Sequence, residues 1–248
     1  MSSNLVQKDG NFFLPDKINK FPENTLLLFL SIYGIIIYYH YHGELFPIER
    51  KPRTMKLILA SASPRRREIL TTLGVDFTVR TADADETCDL TDPGARVEAI
   101  SVKKCHAVRD LLASEGGLEP DTVILASDTL VTLDGEFLGK PRDDADVCRM
   151  MGMLQGRTHT VASGLALWKD GKTVTAHELT GVTFAPMSIE EIRDYLRTGE
   201  SFGKAGAYAI QGYAARYITG IEGDYFNVVG LPVRRLYATL REGFGITL

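Results

Sequence analysis

HTVASGLALWKDGKTVTAHELTGVTF, residues His159–Phe184, is the stretch whose reading decides the fold. Its two long arms alternate apolar and polar residues around Lys169-Asp170-Gly171, which predicts two antiparallel strands joined by a tight turn. Upstream, Leu130–Leu133 and Phe137–Leu138 flank Asp134-Gly135, another hairpin signal. Hairpins set between helices break the strict strand–helix alternation of a doubly wound sheet. The predicted class is α/β with mixed α+β character, a twisted mixed sheet with flanking helices.

Outward from the hairpins the pattern continues. Lys56–Ala60 predicts a short buried strand, Pro64–Leu73 a helix stopped by Gly74, and Phe77–Thr81 another strand. The acidic stretch from Asp83 to Asp92 predicts a loop, and Pro93 opens a helix running to about Leu112. Val123–Ser127 predicts an apolar strand ending at Asp128-Thr129. Asp143 caps a helix through Leu154, and Ser188-Ile189-Glu190-Glu191 fits a capping box for a helix ending near Thr198-Gly199. A glycine-rich stretch runs from Gly203 to Gly230, and Leu231–Leu240 closes as a helix.

The 248 residues suit one or two domains and can bury a substantial core. The composition, 44% hydrophobic and 24% charged, is that of a soluble globular chain, and a net charge of -4 argues against a surface that coats nucleic acid. Cys88, Cys105 and Cys148 are scattered, without C-x-x-C pairing. That excludes a cysteine-rich zinc module and suits reduced thiols in the cytoplasm.

Residues 1–54 differ from the rest, and the expected division is an N-terminal extension over 1–54 and a catalytic domain over 55–248. The extension carries the tract LLLFLSIYGIIIYYHY at 26–41, whose length of about 16 residues falls short of the ~20 of a spanning helix. Three readings stand: a marginal membrane anchor or targeting segment, an apolar element packed on the body, or an upstream extension that the function does not use. The last is preferred, because Met55-Lys56-Leu57 opens directly into the first strand.

Chemistry concentrates in a few places. In LASASPRRREI, Leu59–Ile69, a strand ends in small hydroxyl residues and turns through Pro64 into a helix whose first turn carries three arginines. Cations there oppose the helix dipole, unless an anion is held jointly by exposed N–H groups, hydroxyls and guanidinium forks. This is read as a phosphate grip, against a solvated basic helix start. Asp128 is either a turn-former or a metal ligand and base. Glu86, in isolation a residue of a plain acidic loop, would join Asp128 in holding Mg²⁺ or Mn²⁺ through oxygen ligands. Lys140 follows a tight turn; with Lys104 it would add point charges against a triphosphate. Gln211, in KAGAYAIQG, carries an amide suited to the edge of a base, or else lies buried in a glycine-rich loop. Gly135-Glu136-Phe137-Leu138-Gly139-Lys140-Pro141 lacks one residue between its glycines and has Pro141 where a P-loop needs Ser or Thr, which argues against a P-loop NTPase.

Taken together, LASASPRR (59–66), Asp85-Glu86-Thr87, ASDT (126–129), LGKP (138–141), GKAGAYAIQG (203–212) and NVVGLPV (227–233) resemble, in order, the motifs of the Maf family of nucleoside triphosphate pyrophosphatases. The resemblance spans Met55 to about Leu240. It implies a mixed sheet bent around a deep nucleotide cleft, often in a homodimer, and metal-dependent hydrolysis between the α- and β-phosphates. By motif position Asp128 corresponds to the proton acceptor. Ser61, Arg65, Arg66, Glu86, Lys104 and Lys140 fall on substrate- and metal-handling positions, while Arg65, Thr129 and Gln211 match positions tied to base choice. The AGAYxIQG form is similar to the branch acting on dTTP, UTP and modified uridine triphosphates. A 7-methyl-GTP or other purine preference, and a nucleotide-binding regulator of division without turnover, are the rival readings. Ala62, Gly203, Ala209 and Cys105 depart from the usual pattern without removing a catalytic group.

Overall fold

The computed structural model describes residues 55–248 throughout and, upstream of them, only the strand backbones at 7–8, 11–12, 25–31, 34–41 and 44–48. The chain divides into two compact units, Met1–Arg53 and Thr54–Leu248. In the first, the described residues of the tract at 26–41 are extended: Thr25–Ser31 and Gly34–Tyr41 pair antiparallel, and Glu44–Ile48 adds a third strand. Its runs of isoleucine and tyrosine favour a pleated backbone over a helix. Among the described residues no helix is long and apolar enough to cross a membrane. The other upstream residues lie outside the described ones, and the reading of 1–54 as an unused extension goes with them.

The second unit is built on a seven-stranded mixed sheet. Its strands are β1 (Lys56–Leu59), β2 (Phe77–Val79), β3 (Thr122–Leu133), β4 (Glu136–Leu138), β5 (Thr158–Lys169), β6 (Lys172–Phe184) and β7 (Ile218–Glu222). The order is β7-β6-β5-β3-β1-β2, with β4 also on β3. β1 runs parallel to β2 and β3, and every other pairing is antiparallel. The predicted hairpin turns carry the required left-handed residues, Asp134-Gly135 and Asp170-Gly171.

Six helices flank the sheet: α1 (Pro64–Thr72), α2 (Pro93–Ser114), α3 (Asp144–Leu154), α4 (Ile189–Arg197), α5 (Tyr225–Val229) and α6 (Val233–Phe244). Strand periodicity sorts the two cores. Leu57, Leu59, Val123, Leu125, Leu165 and Leu167 join α1, α3 and α6 on one face. Ile58, Ile124, Ala126, Ala166 and Trp168 meet Cys105, Val108 and Leu112 of α2 on the other.

Two expectations need correction. The strand predicted to stop at Ser127 continues to Leu133, because Ser127, Asp128 and Thr129 keep their ladder to Leu165, Gly164 and Ser163 of β5. Polar side chains ended the apolar run without ending the backbone pairing. What does end is cover on the opposite edge: β1 pairs β3 only as far as Leu125, and β4 takes the same edge from Val131. Between them the edge of β3 lies open, as at the switch point of an α/β sheet. Downstream, the glycine-rich stretch contains β7 and α5, and the closing helix begins at Val233, after Pro232. Gly220, Gly223 and Gly230 hid this alternation in the sequence.

Candidate functional site

The open edge of β3 floors a cleft of about 810 Å³, within the range of small-molecule sites. Asp128 and Thr129, being neighbours on a strand, point to opposite faces of the sheet. Asp128 lies on the same face as Ala126 and meets α2; Thr129 lies with Leu125 and Val131 and meets α1. One dipeptide thereby joins helices from both layers at one place.

On the α2 side, Lys104 Nζ donates to Asp128 Oδ1 at 2.7 Å and pairs with Glu86 Oε1 at 3.1 Å. Lys103, one position earlier, holds the loop that carries Glu86, donating to the Thr87 carbonyl at 2.6 Å. Asp92 caps α2 through the Ala95 N–H. The helix can lie this close because Gly164, the cross-strand partner of Asp128, has no side chain: a Cβ there would stand 2.4 Å from the carbonyl carbon of Val97, two turns before Lys104.

On the α1 side, Arg66 is held by three bonds. Nε donates to the Gly230 carbonyl at 2.8 Å, Nη1 to Ser61 Oγ at 3.0 Å and Nη2 to Thr129 Oγ1 at 3.0 Å. Two of its five N–H bonds are left over. Ser61 Oγ also accepts from the Ser63 amide at 3.3 Å, so both its lone pairs are used and its hydrogen is free to donate. Burial lowers the Arg66 pKa to about 10, against the pull of Asp128, and it stays cationic at neutral pH. Burial also lowers Arg65 and Lys204, and for Lys204 the nearby Arg65 adds to it.

The cleft is lined by Ser61, Arg65, Arg66, Glu86, Lys104, Asp128, Thr129 and Lys140, so every residue singled out in the sequence but Gln211 is brought to it. Lys140 is exposed, and among the described residues it has no hydrogen-bond or ion-pair partner. Its turn is tied down by the Gly206 amide, which donates to the Gly139 carbonyl. Gly206 has φ +69°, and a Cβ would come within 2.9 Å of Val131. Gln211 is exposed and outside the lining, which in this segment stops at Ile210 and resumes at Val228. The reason lies in Glu200, whose carboxylate accepts from the Tyr213 and Ala214 amides and from Tyr195 Oη and so draws the following turn away.

Sequence reasoning missed several residues of the wall. Arg96 stacks over the Phe137 ring at 4.7 Å, and Lys204 and the buried Tyr208 also line the cleft. Only the KAGAYAIQG motif, which holds Lys204 and Tyr208, gave a signal. Six cationic side chains thus face two carboxylates in a chain whose net charge is -4. Without a polyanion such a cluster repels itself. Glu86 and Asp128, converging on one ammonium, are hard-oxygen donors that could hold Mg²⁺ or Mn²⁺. Among the described residues no three His, Cys, Asp or Glu side chains gather into a metal cage of their own.

The chain has relatives among known proteins. Residues 56–243 match the family described as Maf-like protein. The chain is 45% identical to the dTTP/UTP pyrophosphatase of Symbiobacterium thermophilum over 188 residues, 75% of this chain and 93% of that one. It is 48% identical to the dTTP/UTP pyrophosphatase of Moorella thermoacetica over 181 residues, 72% of this chain and 90% of the relative. Among solved structures, the Ham1 protein of Staphylococcus aureus aligns at 16% identity with a TM-score of 0.38, over 52% of this chain and 72% of that one.

Proposed function

Because the chain belongs to the Maf-like protein family, we propose that it hydrolyses dTTP, UTP and modified pyrimidine triphosphates to the nucleoside monophosphate and pyrophosphate. The observation that carries this reading is the convergence of Asp128 and Glu86 on Lys104 in a cleft that also holds Arg65, Arg66 and Lys140.

Water attacks the α-phosphorus, the bond to the bridging α–β oxygen breaks, and pyrophosphate leaves with that oxygen. Asp128 takes the proton of the attacking water. Lys104 orients Asp128 and offers its ammonium to the incoming phosphates. Arg65, Arg66, Lys140 and the free Ser61 O–H hold the phosphate oxygens, where charge collects on the leaving group. Glu86 and Asp128 would hold a divalent cation, which when bound polarises the phosphoryl group and acidifies a water. Thr129 and Arg65 face the base, and Gln211 reaches it if its turn closes over the cleft.

A cytoplasmic setting belongs to this proposal, supported by three unpaired cysteines, as do a homodimer and independence from nucleic acid. The test is product analysis on the full chain with Mg²⁺ or Mn²⁺. Pyrophosphate and monophosphate from dTTP or UTP are expected; nucleotide binding without release from any pyrimidine triphosphate refutes the proposal.

A further inference from the structure

Behind Thr129 runs a buried chain of hydrogen bonds that the catalytic reading does not use. Thr129 Oγ1 lies 2.8 Å from Ser163 Oγ, its cross-strand partner on β5. Ser163 Oγ in turn lies 2.9 Å from the backbone carbonyl of Asn227 in α5. Ser163 and Asn227 are both fully buried, and the Asn227 amide is pinned by the Val161 carbonyl and Thr180 Oγ1, each at 2.9 Å.

Counting hydrogens fixes the direction of this chain. A carbonyl only accepts, so the Ser163–Asn227 bond takes the one hydroxyl hydrogen of Ser163. The bond between Thr129 and Ser163 must then use the hydrogen of Thr129, because its other acceptor, the Gly230 carbonyl, stands 3.5 Å away and already accepts from Arg66 Nε at 2.8 Å and Ser127 Oγ at 3.2 Å. Thr129 has two lone pairs, and Arg66 Nη2 occupies one of them at 3.0 Å. Toward the cleft it has one lone pair and nothing to give. At the grip, by contrast, Ser61 has a hydrogen and no lone pair left.

We infer that Ser163 is a positioning residue that sets base discrimination: it draws the only hydroxyl hydrogen of Thr129 away from the cleft and makes Thr129 an obligate acceptor there. The inference rests on the proposed reading, in which the base meets Thr129. Uracil and thymine carry a hydrogen on N3, which an obligate acceptor receives. N3 of cytosine is a bare lone pair, and opposite a second lone pair both go unpaired in a partly buried site. Without Ser163 the Thr129 hydroxyl turns freely and serves either base.

The experiment measures kcat/KM for UTP and CTP in the wild-type chain, Ser163→Ala, Thr129→Val and the double variant. The wild type is expected to favour UTP, and Ser163→Ala to shrink the UTP:CTP ratio by about tenfold or more, through KM rather than kcat. Thr129→Val should shrink it too, and adding Ser163→Ala to Thr129→Val should change it no further, since Ser163 acts only through that hydroxyl. Ser163→Cys, which keeps the side chain but weakens the acceptor, reads the same ratio if the alanine variant does not fold. A purely structural serine would lower both substrates alike. An unchanged ratio in the serine variants, an additive double variant, or a wild-type ratio near one overturns the inference while leaving pyrophosphatase activity standing. A wild type inactive on both UTP and dTTP is the separate failure of the proposed function.

Discussion

On the α2 side of β3, Asp128 meets an ammonium and, through it, a carboxylate on an exposed loop; on the α1 side, Thr129 meets a guanidinium, a serine and, through the serine, a buried peptide carbonyl. The first set is charged, and Glu86 is open to water, so its pairings are screened and partners exchange at little cost. The second is neutral beyond Arg66 and buried, so the Thr129 and Ser163 hydroxyl donors are each matched and neither can leave without an unpaired group. Adjacent residues on one strand thus serve opposite needs, because strand geometry sends them into different layers.

The largest effect that would test this contrast is Asp128→Asn. Turnover of UTP should fall by about 10³-fold or more while nucleotide affinity holds, as measured by single-turnover kinetics beside equilibrium binding. Unchanged turnover would strip the charged side of its chemistry. Next comes Gly164→Ala, which strikes that side through packing. A methyl against the Val97 backbone should cost about 3 kcal/mol in urea unfolding and lower activity by moving Lys104 from Asp128. Loss of stability with full activity would break the link between helix approach and ion pair.

The neutral side has a titration of its own. His159 is buried on the face of β5 that carries Ser163, with Nε2 against Tyr208 Oη at 2.8 Å, and burial lowers its pKa to about 4. Its unfolded value is 6.5, so the unfolded chain binds the proton first as pH falls. Stability from this group is complete above 6.5 and lost between 6.5 and 4, by at most about 3 kcal/mol. The melting temperature should drop across that window, and His159→Gln should flatten this part of the decline; equal slopes in both proteins would dismiss it. Smallest is Arg66→Lys, which keeps the charge but cannot make three forked bonds. The KM for UTP should rise about tenfold with kcat nearly kept, whereas a kcat loss as large as that of Asp128→Asn would merge the two sides into one.

Much of this was legible beforehand, for local reasons. Both hairpins were announced by Asp-Gly turns, α4 by its capping box, and the basic turn that lines the cleft by arginines placed against a helix dipole. Asp128 was misread as a strand end because polarity and backbone pairing part company there. Lys104, singled out in the sequence, does reach both acids, while the adjacent Lys103 holds the loop. Gln211 could not be placed at all, since Glu200, which steers its turn, lies eleven positions away in a segment with no motif.

By itself the sequence determined the mixed class of the fold, the basic turn into α1 and most of the charged residues that line the cleft, because these follow from short-range patterns of charge, polarity and turn residues. Only the tertiary structure decided that β1 and β4 leave the middle of β3 uncovered, that Gly164 admits α2, and that a serine on the next strand orients the hydrogen of Thr129. Those outcomes depend on which strand lies beside which and how closely a helix can approach, distances that no window of neighbouring residues contains.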